Sequence, residues 1–235
     1  LRRLSHEHDV TLYMTLLAAF QTLLARYAGQ TDIAVGTSNG IRSQVEIERL
    51  IGFFVNTQVV RTDLGGDPTF LEVLRRVSSA ALDAYEHQDL PFEKLVEELQ
   101  PRRDLSRSPL FDVMFILQNA TAAALPHVLL QRGGSNEAIR AGEWPVRAAI
   151  AKYDLTLSMA EAGDRIGGSL EYSTGLFDDD SVTRMLRSFE DLLQVVATEP
   201  TRRISSISLL SGPDRAVLAQ SNATTVAVPD GCVHD

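Results

Sequence analysis

The chain has 235 residues, 44% of them hydrophobic, with a formal net charge of −9 and a pI near 5.1. That length suffices for a packed core, and the acidic balance argues against a nucleic-acid binder, which needs a concentrated basic surface. The single cysteine, Cys232, excludes a disulfide framework within the chain and fits a reducing, cytoplasmic setting, and no apolar run approaches the roughly 20 residues that span a bilayer.

In chain order, the opening LRRLSHEHDV lacks the apolar stretch of a signal peptide and has no initiator methionine, which points to a piece of something longer. Asp9 is the expected N-cap of a helix whose apolar positions Leu12, Leu16, Leu17, Phe20, Leu23, Leu24 and Tyr27 recur at helical spacing, with Gly29 as its stop. Ile33 to Thr37 is extended and ends in the turn-forming Ser38-Asn39-Gly40. Phe53 to Arg61 reads as a strand, with Asn56, Gln58 and Val60 on one face and Val55, Thr57, Val59 and Arg61 on the other. Thr69 and Glu72 match a capping box, opening a helix that buries Phe70, Leu74, Val77, Ala81 and Tyr85. Pro91 suits the first turn of a second helix carrying Phe92, Leu95, Val96 and Leu99.

Leu110 to Leu117 is almost wholly apolar, as in a strand buried on both faces. Residues 120–150 show no clean period and are expected to form a loop with one short edge strand. Tyr153–Ala160 and Arg165–Tyr172 then read as a hairpin. Asp178, Asp179 and Asp180 open a last helix, apolar at Val182, Met185, Leu186, Phe189, Leu192, Leu193 and Val196, that runs toward Pro200. The Ser-, Gly- and Pro-punctuated residues 201–235 read as a linker draped over a neighbour. Together these elements predict a mixed α/β layer fold, a sheet of about five strands covered by helices.

Side-chain chemistry alone yields no catalytic site. The five histidines, His6, His8, His87, His127 and His234, neighbour no serine or cysteine in a nucleophile pattern and form no metal pair with a suitable Cys or His. His6-Glu7-His8-Asp9 precedes a helix start and reads as solvated; no metal site is expected. His87 ends a helix, where a cation complements the dipole. Helix-start chemistry accounts for the three aspartates, and the two Asn-Ala-Thr sequons at Asn119 and Asn222 carry no information in a cytoplasmic chain.

Three longer motifs say more. Ile51-Gly-Phe-Phe-Val-Asn-Thr-Gln-Val-Val-Arg61, His87-Gln-Asp-Leu-Pro-Phe-Glu93 and Arg103-Asp-Leu-Ser-Arg-Ser-Pro-Leu110 resemble successive signatures of nonribosomal peptide synthetase condensation domains, in the family's order and approximate spacing. Lys152–Ser158 and Glu171–Phe177 resemble the later part of that domain, and the end of the chain resembles the linker toward an adenylation domain. The resemblance implies a chloramphenicol-acetyltransferase-like fold of two lobes, of which residues 1–200 match the C-terminal lobe and 201–235 the linker. In such domains two carrier proteins deliver thioesters on phosphopantetheine arms through a tunnel between the lobes, and an acceptor amine attacks the donor thioester. The family's His-His-x-x-x-Asp-Gly motif is absent: no two histidines are adjacent, and the only Asp-Gly pair is Asp230-Gly231.

By resemblance, the implied partners are the missing N-terminal lobe, peptidyl or acyl carrier proteins and an adenylation domain; the phosphopantetheine arm arrives with the carrier, and no cofactor is bound directly. Asn56, Gln58 and Ser158 are the implied tunnel residues. Asn56 can equally tie two strands together, and Ser158 can bond backbone as an ordinary strand serine. Arg103 and Arg107 either meet a phosphate or an acidic carrier surface, or pair with Asp104, Asp89 or Glu93 to staple the loop. Gly52 and Pro91 read as backbone devices, and Arg61, His87, Asp89 and Asp104 as motif positions. Three functions follow: half of a condensation domain, inactive without its first lobe; a self-sufficient acyltransferase using His87 as base; or a non-catalytic, carrier-binding or recruiting relative.

Overall fold

The computed structural model describes residues 1–40, 50, 52, 54–101, 108–118, 150–163, 165–210 and 212–224. Its first layer grows from the apolar stripe near the N-terminus. A short helix α1 (Arg2–Glu7) is followed by α2 (Leu12–Ala28), in which every residue from Met14 to Ala25 is buried. Thr11, not Asp9, caps α2: its hydroxyl accepts from the Met14 N–H at 3.2 Å. Asp9 instead takes a left-handed φ of 52°, because α1 ends just before it and the chain must reverse there. Gly29 stops α2 in the left-handed conformation (φ 64°), as its lack of a Cβ permits.

The sheet contains β1 (Asp32–Gly40), β2 (Val55–Asp63), β3 (Val113–Gln118), β4 (Leu155–Ala162) and β5 (Arg165–Tyr172) in the order β2-β1-β3-β4-β5. The β1–β2 and β4–β5 pairs are antiparallel; β1–β3 and β3–β4 are parallel. Residues 38–40, expected to turn, continue β1, because β2 pairs along its whole length as far as Gly40 opposite Val55. The hairpin between β4 and β5 is as expected, with Gly163 at φ 60° in its turn.

Among the described residues, three helices pack on one face. Alongside α2 lie α3 (Phe70–Glu86) and α5 (Asp179–Thr198), while α4 (Phe92–Leu99) follows α3 after a turn. The capping box of α3 is complete. The Thr69 hydroxyl accepts from the Glu72 N–H, and the Glu72 carboxylate accepts from the Thr69 N–H at 2.6 Å. Phe70, Val73, Leu74, Val77 and Ala81 are buried, and Tyr85 is half-buried at the frayed end of the stripe. Phe20, Phe70, Phe115 and Leu192 are among the fully buried residues of the core; each such side chain contributes ~1.5–3 kcal/mol by leaving water. All three aspartates do belong to a helix start: Asp178 accepts from the Ser181 N–H at 2.7 Å, and Asp179 and Asp180 lie in the first turn.

Two further features differ from the sequence expectation. β3 is not buried on both sides: Met114 and Phe115 are, but Ile116 and Leu117 are half-exposed. Residues 201–210, expected to begin a linker, lie against the body instead. A 3₁₀ turn (Ile204–Ser206) follows a bridge from Arg203 to Thr69; Ile204 and Ile207 are buried, and Arg26 donates to the carbonyls of Ile204, Ser205 and Ile207. An exposed helix α6 (Gly212–Ser221) is the last described element, and residues 225–235 lie outside the described residues. No helix among the described residues is long and apolar enough to cross a membrane.

Candidate functional site

Strand alternation gives the sheet two unlike faces. Asn56, Gln58, Val60 and Thr62 of β2, with Ile33, Val35 and Thr37 of β1, point to the helices and are buried. Among the described residues, no helix covers the opposite face. Its rows can be read from the register. Thr57 lies beside Ser38; Ser38 and Ile116 are each two residues beyond the Gly36–Met114 pair; Ile116 lies beside Ser158, and Ser158 beside Ser169. Continuing the single Gly36–Met114 pairing two residues along both strands brings Thr57–Ser38 into line with Ile116–Ser158–Ser169 on this face, a row with four hydroxyls, each on a half-buried or exposed residue. Val55, 47% exposed, stands at one margin of this open face.

The neighbouring row, Val59–Gly36–Met114–Thr156–Glu171, is partly roofed. The Phe111 ring lies over Gly36 so closely that a Cβ there would sit 2.2 Å from it. Phe111 in turn stacks edge-on with Phe92 of α4 (centroids 5.7 Å) and against Tyr153 (5.2 Å), whose ring carries the Lys152 ammonium. A glycine in β1 thus lets three aromatic rings close one end of the open face. Sequence periodicity holds no signal for this, because the contact joins residues 75 positions apart.

Asn56 and Gln58 lie on the helix-covered face, apart from Ser158 on the open one. The Asn56 amide donates to the carbonyls of Gln88 (3.0 Å) and Leu90 (2.7 Å), and its oxygen accepts from the N–H groups of Phe92 (3.1 Å) and Thr57 (3.0 Å). Pro91 precedes α4 without a side-chain cap of its own, so Asn56 supplies the acceptor for the first helical N–H from 36 residues away. Asn39, paired with Asn56 across the strands, donates to the Gln88 side chain at 2.8 Å. Gln58 donates to the Ala84 carbonyl. These amides fix the turn between α3 and α4 to the sheet.

The motif residues fall around that turn. His87 is the exposed C-cap of α3, its carbonyl accepting from Leu90, and among the described residues no serine or cysteine is bonded to it. Asp89 is exposed on the turn, and Pro91 is the N-cap of α4 at φ −62°. Arg61 forms a two-pronged pair with Asp32, Nε to Oδ1 at 2.8 Å and Nη2 to Oδ2 at 2.5 Å. Those bonds hold the Asp32 carboxyl below its usual range and raise the Arg61 guanidinium. Gly52 meets the Phe54 ring, where a Cβ would lie 2.9 Å away. Arg103, Asp104 and Arg107 lie outside the described residues. Among the described residues, no cluster of three or more His, Cys, Asp or Glu side chains is arranged to hold a metal ion.

Among the described residues, the sheet is thus covered by helices on one face and lined with hydroxyls on the other. Residues 1–219 match the family model described as Condensation domain, and the chain belongs to that family. It is 48% identical over 239 residues to a linear gramicidin synthase polypeptide of Brevibacillus parabrevis, covering 100% of this chain and 3% of that protein. Surfactin synthase subunit 2 of Bacillus subtilis (strain 168) is 39% identical over 225 residues, 96% of this chain and 6% of the relative. The X-domain of teicoplanin biosynthesis in complex with OxyB superposes at a TM-score of 0.76 with 31% identity, over 89% of this chain and 45% of that one. A four-domain nonribosomal peptide synthetase gives a TM-score of 0.78 at 24% identity, over 89% of this chain and 16% of that one, a likeness of fold. The chain thus spans a small fraction of the synthases and under half of the X-domain structure. The expected fold class, a helix-covered mixed sheet forming one lobe of a chloramphenicol-acetyltransferase-like fold, is the observed one.

Proposed function

We propose that this chain is the C-terminal lobe of a condensation domain in a nonribosomal peptide synthetase, joining carrier-bound aminoacyl or peptidyl thioesters. The observation that carries this reading is the open face with its row Thr57–Ser38–Ile116–Ser158–Ser169. A pantetheine arm presents amide N–H and C=O groups along an otherwise apolar thread. Hydroxyls can accept from the N–H groups and donate to the carbonyls without leaving a buried group unpaired. In this reading the first lobe covers that face, and the thioester arm runs between them.

The reaction forms a C–N bond and breaks a C–S bond: the acceptor amine attacks the donor thioester carbonyl, the pantetheine thiol leaves, and the amine gives up a proton. By the family resemblance, the second histidine of His-His-x-x-x-Asp-Gly positions or deprotonates that amine, and this sequence lacks it. The chain alone is therefore inactive. Its partners are the first lobe, two carrier proteins and an adenylation domain reached through the segment after residue 210; the phosphopantetheine arm is substrate carrier, and the setting is cytoplasmic. The 31% identity to an X-domain solved with OxyB favours one alternative, a recruiting relative without catalysis.

The test is a chimera in which this chain replaces the matching segment of a linear gramicidin synthase condensation domain. Loaded carrier proteins and intact-mass detection report the dipeptidyl thioester. Product from the chimera and none from the chain alone supports the condensation reading. A folded but inert chimera favours the recruiting relative. Turnover by the chain alone that His87→Gln abolishes would establish the acyltransferase instead.

A further inference from the structure

β5 closes the sheet on the side away from β2, and among the described residues no strand lies along its outer edge. Exposed edges are normally blunted by a bulge, a proline or an inward-pointing charge. β5 has none of these. Its pairing with β4 runs unbroken from Arg165 to Tyr172, and the strand contains no proline. Its charges stand near the two ends, Arg165 and Glu171, both exposed and both on the open face. In between, Gly167 is exposed with open space where a Cβ would be, and Gly168 packs its backbone against β4. Neither puts a side chain in the path of an incoming strand.

We propose that β5 pairs antiparallel with β5 of a second copy of this chain, about a two-fold axis at Gly168, joining the two sheets into one. An axis perpendicular to the sheet keeps both open faces on the same side, so each residue must meet one that points the same way. Of the registers that satisfy this, the one centred on Gly168 sets Arg165 opposite Glu171 of the second copy, and Glu171 opposite its Arg165. It also sets Ile166 against Leu170 on the helix-covered side, twice, with Gly167 against Ser169. Centring on Ser169 or on Gly167 loses both ion pairs. The sequence of this edge is thus complementary to itself in one register, which is what an isologous contact requires. An interface of one strand pair is smaller than a standard stable one, so the dimer is weak and reversible. The proposal does not rest on the condensation reading.

Sedimentation velocity of the full chain, from micromolar to millimolar concentration, tests it. The expected result is a reversible monomer–dimer equilibrium. Arg165→Glu and Glu171→Arg each place like charges opposite one another twice, and each should weaken it about ten-fold. The double variant, with the charges exchanged, should restore the wild-type constant. A wild-type monomer at every concentration would overturn the proposal. So would a dimer indifferent to both single substitutions, as association through the open face would be, or a double variant that fails to recover.

Discussion

Asn56→Ala removes four hydrogen bonds in one step, all from a residue that is 7% exposed. The carbonyls of Gln88 and Leu90 lose a donor, and the N–H groups of Phe92 and Thr57 lose an acceptor. A typical intramolecular hydrogen bond contributes about 1 kcal/mol net, and a buried group left unpaired costs ~1–3 kcal/mol. Leu90 and Pro91 are exposed, so water can reach part of this turn and satisfy some of the freed groups. The expected loss is therefore ~2–4 kcal/mol, toward the upper end for one residue, and it should fall first on the turn and α4. Urea unfolding followed by circular dichroism should show the midpoint falling with an unchanged slope. Amide exchange should rise across residues 88–99 before it rises in α2. Asn56→Asp should cost at least as much at neutral pH, because it keeps the two acceptor bonds but sets a carboxylate against two carbonyl oxygens. An alanine variant within ~0.5 kcal/mol of wild type, with exchange unchanged in the turn, would refute the assignment of Asn56 as its anchor.

Gly36→Ala puts a Cβ 2.2 Å from the Phe111 ring and should cost ~1–3 kcal/mol by overpacking; Phe111→Leu in the same chain should recover part of it, which a double-mutant cycle measures. Thr69→Ala should lose about 1 kcal/mol with the α3 cap. The Thr69 N–H and hydroxyl hold the Glu72 carboxyl below its ordinary value of 4.5, so its contribution is present above that pH and is lost as pH falls through the depressed folded value. The acid limb of a stability–pH curve should accordingly flatten in Thr69→Ala. Burial pushes the Tyr13 phenol well above its ordinary value of 10.0. A raised folded value contributes stability below the unfolded one and loses it as pH rises, so wild type should weaken above about pH 10 and Tyr13→Phe should weaken less.

Local signals carried much of the fold. The α2 stripe, the Thr69–Glu72 box, the β4–β5 hairpin and the aspartate-led α5 each depend on residues within a few positions of one another. Where two local signals competed, proximity misled. Asp9 has the chemistry of a cap, but α1 ends against it, and Thr11 has the extended backbone that capping requires. Residues 38–40 have turn chemistry, yet pairing with β2 outweighs it.

For the site, strand period two correctly divided β2 into Asn56/Gln58/Val60 and Thr57/Val59/Arg61, but it could not say which set the helices would cover. The alternative that Asn56 is a tie proved half-visible: it is a tie, to the α3–α4 turn rather than to a second strand. The hydroxyl row was hidden for a different reason. Its members come from five strands separated by up to 131 positions, and only the register aligns them.

The central claim is that the open face forms one wall of the thioester tunnel, and Ser158→Phe in the gramicidin synthase chimera tests it most directly. The bulky ring would stand in the middle of the hydroxyl row, on the face that no described helix covers, at a residue that is only half-buried. The account predicts a chimera with unchanged melting temperature and at least ten-fold less dipeptidyl thioester. Undiminished product from a properly folded Ser158→Phe chimera would contradict it.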